Sequence, residues 1–280
     1  MFHSNFTRLA VLSFAAVILS AIPAVAHELW IETDHTAKVG KQQEVHVCWG
    51  HAGDKATGEA LGKQKSKLIA SMTQPGGGSK SLELVKGSDS YTATMAPDSP
   101  GYYMIGSTLQ TGIIDKELHG IPANTRIVMY GESFTHVNGG EKGLGNRLGL
   151  DLELVPVTDP TDLHPGDIVT VKVLFKGKPV GGRNVVVELK TTGPGKFPED
   201  PEVHSREWSI EAHAERPSGE ASFPLIAGGQ HQFYMRYFDE NPGRYEGDLN
   251  ETSKFSHLRK GDTYERTLYI CTFTVDVKVK

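Results

Sequence analysis

Apolar and polar residues alternate with a period of two along much of this chain, and that pattern restricts those segments to strands. Glu44-Val45-His46-Val47-Cys48-Trp49 and Ile168-Val169-Thr170-Val171-Lys172-Val173-Leu174-Phe175 each send one set of side chains to either face of an extended segment. Turn chemistry separates such runs. Pro75-Gly76-Gly77-Gly78, Pro97-Asp98-Ser99-Pro100-Gly101, His164-Pro165-Gly166-Asp167 and Lys176-Gly177-Lys178-Pro179 all combine a residue of fixed φ with one free to adopt positive φ. No segment sustains a 3.6-residue pattern. Residues 59–70 come nearest, and their glycine and lysines leave room for a short helix on a loop. The expected fold is all-β.

The first 26 residues read as a signal peptide. Arg8 is the only charged side chain before Glu28, an apolar stretch runs from Leu9 to Ile22, and Ala24-Val25-Ala26 offers a small-x-small cleavage site. That stretch is shorter than the roughly 20 residues a membrane-spanning helix needs. The expectation is therefore cleavage after Ala26, a periplasmic mature chain and no membrane insertion. The formal charge of −5 comes without a basic cluster, which argues against a nucleic-acid partner. Cys48 and Cys271, the two cysteines, both lie in strand-like runs. In an oxidising compartment they are disulfide candidates, joining an early strand to the last one; otherwise Cys48 reads as a buried thiol or a soft metal ligand.

The polar, Gly-rich stretch at 138–146 divides the remainder in two. Residues 27–148 read as an N-terminal β domain. Residues 149–280 hold six or seven short strands and suit an immunoglobulin-like sandwich. Two β-sandwich halves are thus expected to follow the signal.

Three groups of residues carry a family resemblance: the start Ala26-His27-Glu28-Leu29-Trp30-Ile31-Glu32, the Trp49-Gly50-His51 turn, and Leu163-His164-Pro165-Gly166-Asp167 followed by Lys176-Gly177-Lys178-Pro179-Val180. Together they resemble a bacterial family of periplasmic proteins with a domain of unknown function, filed as accessory components of nickel and cobalt uptake systems. The resemblance implies a β-sandwich protein that captures nickel or cobalt and hands it to a membrane metal transporter.

The residues point to metal independently. Cleavage after Ala26 would make His27 the first residue, offering its α-amine and its ring nitrogen as two ligands on one residue. Both can release a proton near neutral pH. Such nitrogens suit nickel, cobalt, copper and zinc, with copper highest in the affinity order. His51, at a strand-to-loop turn beside Trp49, is the expected partner ligand. His46 shares a strand face with Cys48 and is either a ligand or a core histidine. His119, His136 and His257, on separate loops or strand ends, are further candidates for closing a site. His204, His213 and His231 read as surface or strand residues. The acidic stretch at 239–248 lacks the spacing of a calcium loop.

No Gly-x-Ser-x-Gly elbow, His-Glu-x-x-His pair or phosphate-cradling glycine loop is present, so no catalytic residue is assigned. Two other readings stand beside metal delivery. One is a copper-dependent oxidase or oxygenase built on an N-terminal histidine brace, which would need an exposed aromatic face from Trp30, Trp49 or Trp208. The other is a metal-free β-sandwich interaction module.

Overall fold

A computed structural model describes residues 27–51, 54–192 and 208–278. The expected signal peptide and its cleavage site lie outside the described residues, as does His204. Among the described residues thirteen strands of five or more residues are formed. They are β1 (Glu28–Thr33), β2 (Gln43–His51), β3 (Leu68–Thr73), β4 (Tyr91–Met95), β5 (Gly101–Ile114), β6 (Thr125–Val137), β7 (Leu152–Pro156), β8 (Ile168–Phe175), β9 (Val186–Thr192), β10 (Trp208–His213), β11 (Glu220–Pro224), β12 (Gly229–Asp239) and β13 (Arg266–Val277). A single α-helical turn and a half, Gly58–Gly62, occupies part of the segment expected to hold a short helix.

The strands form three layers. The middle layer is a large sheet running β10-β9-β12-β13-β6-β5, with β3 and the short strand Ser256–Leu258 both added along β5. Most neighbours are antiparallel, but β6 and β13 run parallel, Thr125 opposite Arg266 through Glu132 opposite Phe273. A sheet of β1, β2 and β4 covers one face, and a sheet of β7, β8 and β11 covers the other.

Because side chains alternate across a strand, the middle strands feed two cores at once. From β6, Val128, Tyr130 and Phe134 enter the core beneath β7 and β8, while Ile127, Met129 and Val137 enter the core beneath β1 and β2. From β13, Tyr269, Cys271, Phe273 and Val275 face the former and Leu268 and Ile270 the latter. Phe273 is fully buried between Phe134 and Phe233, with ring centroids 6.3 and 6.1 Å away. All-β sandwich architecture is as expected. The division at 148/149 falls in the loop after β6, yet strands from both sides of it share one sheet, so the two sandwiches have a common wall.

The expected disulfide is not formed, and both cysteines are free and buried. The pleat separates them. Cys48 points away from the core that Val45 and Val47 enter, into surroundings that include Glu32 and Lys55. Cys271 lies in the other core beside Glu132. Burial pushes the Cys48 thiol up to about 12 and holds the Cys271 thiol well above the ordinary thiol range, so neither offers a thiolate at neutral pH.

Glu132 is a carboxyl in an apolar interior, 2% exposed. It accepts a hydrogen bond from the Leu154 N–H at 3.0 Å and neighbours Glu153, which Arg147 pairs at 3.2 Å. Burial, and secondarily the Glu153 charge, holds its affinity for protons well above the ordinary carboxylate range. A raised folded-state value means that the stability tied to this proton is complete below about pH 4.5 and is lost as pH rises towards the folded value. Glu132→Gln keeps the shape and removes the titration. Thermal melts of the two forms are expected to diverge with increasing pH, the variant gaining about 2–4 °C for each kcal/mol recovered. A constant offset from pH 4 to pH 9 would show that Glu132 does not titrate with folding.

Candidate functional site

The site begins with the register of β1 on β2. Glu28 lies opposite Gly50, Leu29 opposite Trp49 and Ile31 opposite Val47, so the residue before β1 falls opposite the last residue of β2. These are His27 and His51. Their ring centroids stand 5.1 Å apart with the planes tilted by 33°, and His27 also stacks on Trp49 at 4.3 Å and 11°. In an antiparallel ladder such diagonal neighbours on one face are within reach of aromatic side chains. Gly50 has φ of +146°, and a Cβ there would lie 2.5 Å from the Asp54 carbonyl oxygen, so the tight reversal after His51 requires glycine.

The start of β1 is fixed from several directions. Glu28 is 6% exposed and ion-paired to Lys190 of β9, whose ammonium also sits 4.1 Å above the Tyr234 ring. The Thr272 hydroxyl of β13 donates to the Leu29 carbonyl at 2.7 Å. Gly131 of β6 allows close approach, since a Cβ there would meet the Trp30 Cα at 3.0 Å. The residue following His27 is therefore bound to the common wall.

A third imidazole comes from the loop between β5 and β6. Leu118 and Ile121 exchange both backbone hydrogen bonds around His119 and Gly120, whose φ values are +50° and +76°. This is the two-residue turn that favours a small or polar residue followed by glycine. His119 is close enough for its charge to oppose protonation of His27. Among the described residues, however, no three His, Cys, Asp or Glu side chains are grouped so as to hold a metal ion.

His27, Trp49 and His119 also line a chamber of about 400 Å³. Its remaining walls include Ile114, Leu118, Ile121, Ile127, Met129 and Phe255. Sequence reasoning missed this chamber, although the Leu118-His119-Gly120-Ile121 pattern of a polar-Gly pair between apolar residues was a readable turn signal.

The other candidates lie apart. His46 is half-buried on the face of β2 away from the core, its Nδ1 3.3 Å from both the Ser90 and Thr92 hydroxyls and its Nε2 3.4 Å from Glu44. His136 stacks on Tyr102, with Nε2 2.9 Å from the Gly140 carbonyl oxygen. His257 is held between Asp115 at 2.7 Å and Asp262 at 3.5 Å. Trp30 is 1% exposed, which removes it from any aromatic substrate face, and nothing is described of the Trp208 side chain.

The family model for DUF4198, a domain of unknown function, matches residues 24–239. The chain belongs to the DUF4198 family. This DUF4198 protein matches no curated protein. Among solved structures it is similar to native Escherichia coli alpha-2-macroglobulin (14% identity, TM-score 0.27), over 89% of this chain and 14% of that one. A Salmonella alpha-2-macroglobulin mutant aligns at 11% identity and TM-score 0.29, over 95% and 16%. A DUF4785 family protein from Legionella pneumophila aligns at 13% identity and TM-score 0.26, over 74% and 51%. The chain thus spans about one sixth or less of these macroglobulins and about half of the Legionella protein.

Desolvation first, then the charges of His51 and His119, lower the proton affinity of His27 below the ordinary 6.5. A lowered histidine value means that the folded state resists protonation, so stability is lost as pH falls through about 6.5 towards the folded value. NMR titration is expected to place His27 below 6.5, and His51→Ala to move it part of the way back. Titration of His27 at or above 6.5 would contradict this arrangement of rings.

Proposed function

We propose that this DUF4198 protein is a periplasmic transition-metal-binding protein, accessory to nickel or cobalt uptake, which takes one divalent ion at His27 and His51. The observation that carries the reading is the pairing of these two imidazoles by the β1–β2 register, with centroids 5.1 Å apart. Metal–imidazole bonds are about 2.0–2.1 Å long, so rings at this spacing can share one ion. Lowered proton affinity keeps the His27 ring neutral at physiological pH, the form that donates a lone pair. Cleavage after Ala26 would add the α-amine as a third nitrogen. Imidazole and amine donors favour nickel, cobalt, copper and zinc over magnesium or calcium.

The chemistry asked of the chain is capture and release. His27 and His51 supply nitrogens, Trp49 holds the His27 ring by stacking, and the Glu28–Lys190 pair fixes the strand from which His27 projects. Delivery to a membrane metal transporter follows from the same proposal. The buried position of Trp30 leaves an oxidase reading without one of the aromatic surfaces it needs.

Calorimetric titration with nickel, cobalt, copper and zinc is expected to give one site on protein beginning at His27. Affinity should fall at least tenfold when a single residue precedes it, because the amine becomes an amide, and a similar loss is expected for His51→Ala. Equal affinity in the processed and extended forms would refute the N-terminal site.

A further inference from the structure

The chamber behind His27 has a cationic side chain at its wall for which the described residues provide no ion-pair partner. Lys67, half-buried, lines the chamber, and among the described residues no carboxylate lies within ion-pair distance of its ammonium. Desolvation lowers its proton affinity, opposed by the nearby charge of Glu251, which accepts a hydrogen bond from Ser66.

An ammonium only donates, so a partner for Lys67 in the chamber must be an acceptor, and an anionic one offsets its charge. His27, His119, Lys63, Gln64, Ser253 and Ser256 add further polar groups, and the apolar part of the wall is Ile114, Ile121, Ile127 and Met129, each no more than 4% exposed, with Leu118 and Phe255 towards the solvent. The surroundings of the mouth are basic on a protein whose net charge is −5. Lys63, Lys65, Lys67 and Lys254 line an adjoining cleft of about 830 Å³, and the Lys116 and Lys254 ammoniums flank the Phe255 ring at 5.8 and 5.2 Å. A volume of about 400 Å³ falls within the ~300–1,000 Å³ range of small-molecule sites.

We propose that this chamber binds a small amphipathic carboxylate, with its apolar body between Leu118, Ile121, Ile127 and Met129 and its carboxylate at Lys67. The site needs no metal for its own affinity.

Octanoate serves as the probe and octanol as its uncharged counterpart, titrated into metal-free protein with and without residues preceding His27. Calorimetry and Trp49 emission are expected to report one saturable octanoate site in both forms, with octanol bound at least tenfold more weakly. Lys67→Met should weaken octanoate at least tenfold and leave octanol unchanged, while Leu118→Phe should weaken both by narrowing the chamber. Absence of saturable octanoate binding, octanol bound as tightly as octanoate, or an unaltered Lys67→Met variant would overturn the proposal. If Lys67→Met fails to fold, the octanoate–octanol comparison on the unaltered protein still decides. Failure of the metal reading would appear only in metal titrations of the form beginning at His27, so the two outcomes are separable.

Discussion

Burial of the β6–β13 pair on both faces is the constraint on which the rest of the structure depends. A strand at the edge of an ordinary sandwich hides one set of side chains and wets the other. Here both sets are hidden, with Phe273 and Val275 on one side and Leu268 and Ile270 on the other. Truncating a buried Phe to Ala typically costs about 3–5 kcal/mol, a large part of the stability of a whole domain. Two sandwiches built on a common wall save the surface that two separate ones would expose. They also leave neither sandwich complete without strands from the other end of the sequence.

The candidate metal site inherits its precision from that wall. β1 contributes little sheet of its own, with one strand partner among the described residues, β2. Its position comes from the Thr272 hydroxyl on the Leu29 carbonyl, from Lys190 on Glu28 and from the gap at Gly131. Each of these groups belongs to the middle sheet, and two of the three come from beyond residue 148. His27, just before β1 in one sandwich, is thus held in place partly by residues of the other.

Much of the architecture was legible because it is written in short-range patterns. The alternation at 44–49 and 168–175 became β2 and β8, and the turn after Trp49 put His51 at a strand end. What could not be read were contacts between distant segments. The parallel pairing of Thr125 with Arg266 leaves no local trace, since a strand buried on both faces looks apolar whichever neighbour it takes. For the same reason the Cys48–Cys271 bridge was a fair expectation from two strand-borne cysteines, and it fails because they face different layers. The chamber escaped notice because its walls come from several segments, none of which carries a motif.

The parallel insertion of β13 between β6 and β12 has a consequence for biogenesis. A ribosome releases this polypeptide from its amino end, so the segment bearing His27, His51 and His119 emerges long before Arg266–Val277. Until that ribbon arrives, β6 lacks one neighbour and the apolar surface around Ile127 and Met129 stays only partly covered. Closure of so many sequence-distant contacts is intrinsically slow, and the nascent chain must be kept from aggregating meanwhile. The strand Arg266–Val277, made after β1, is therefore the one that locks β1 into place.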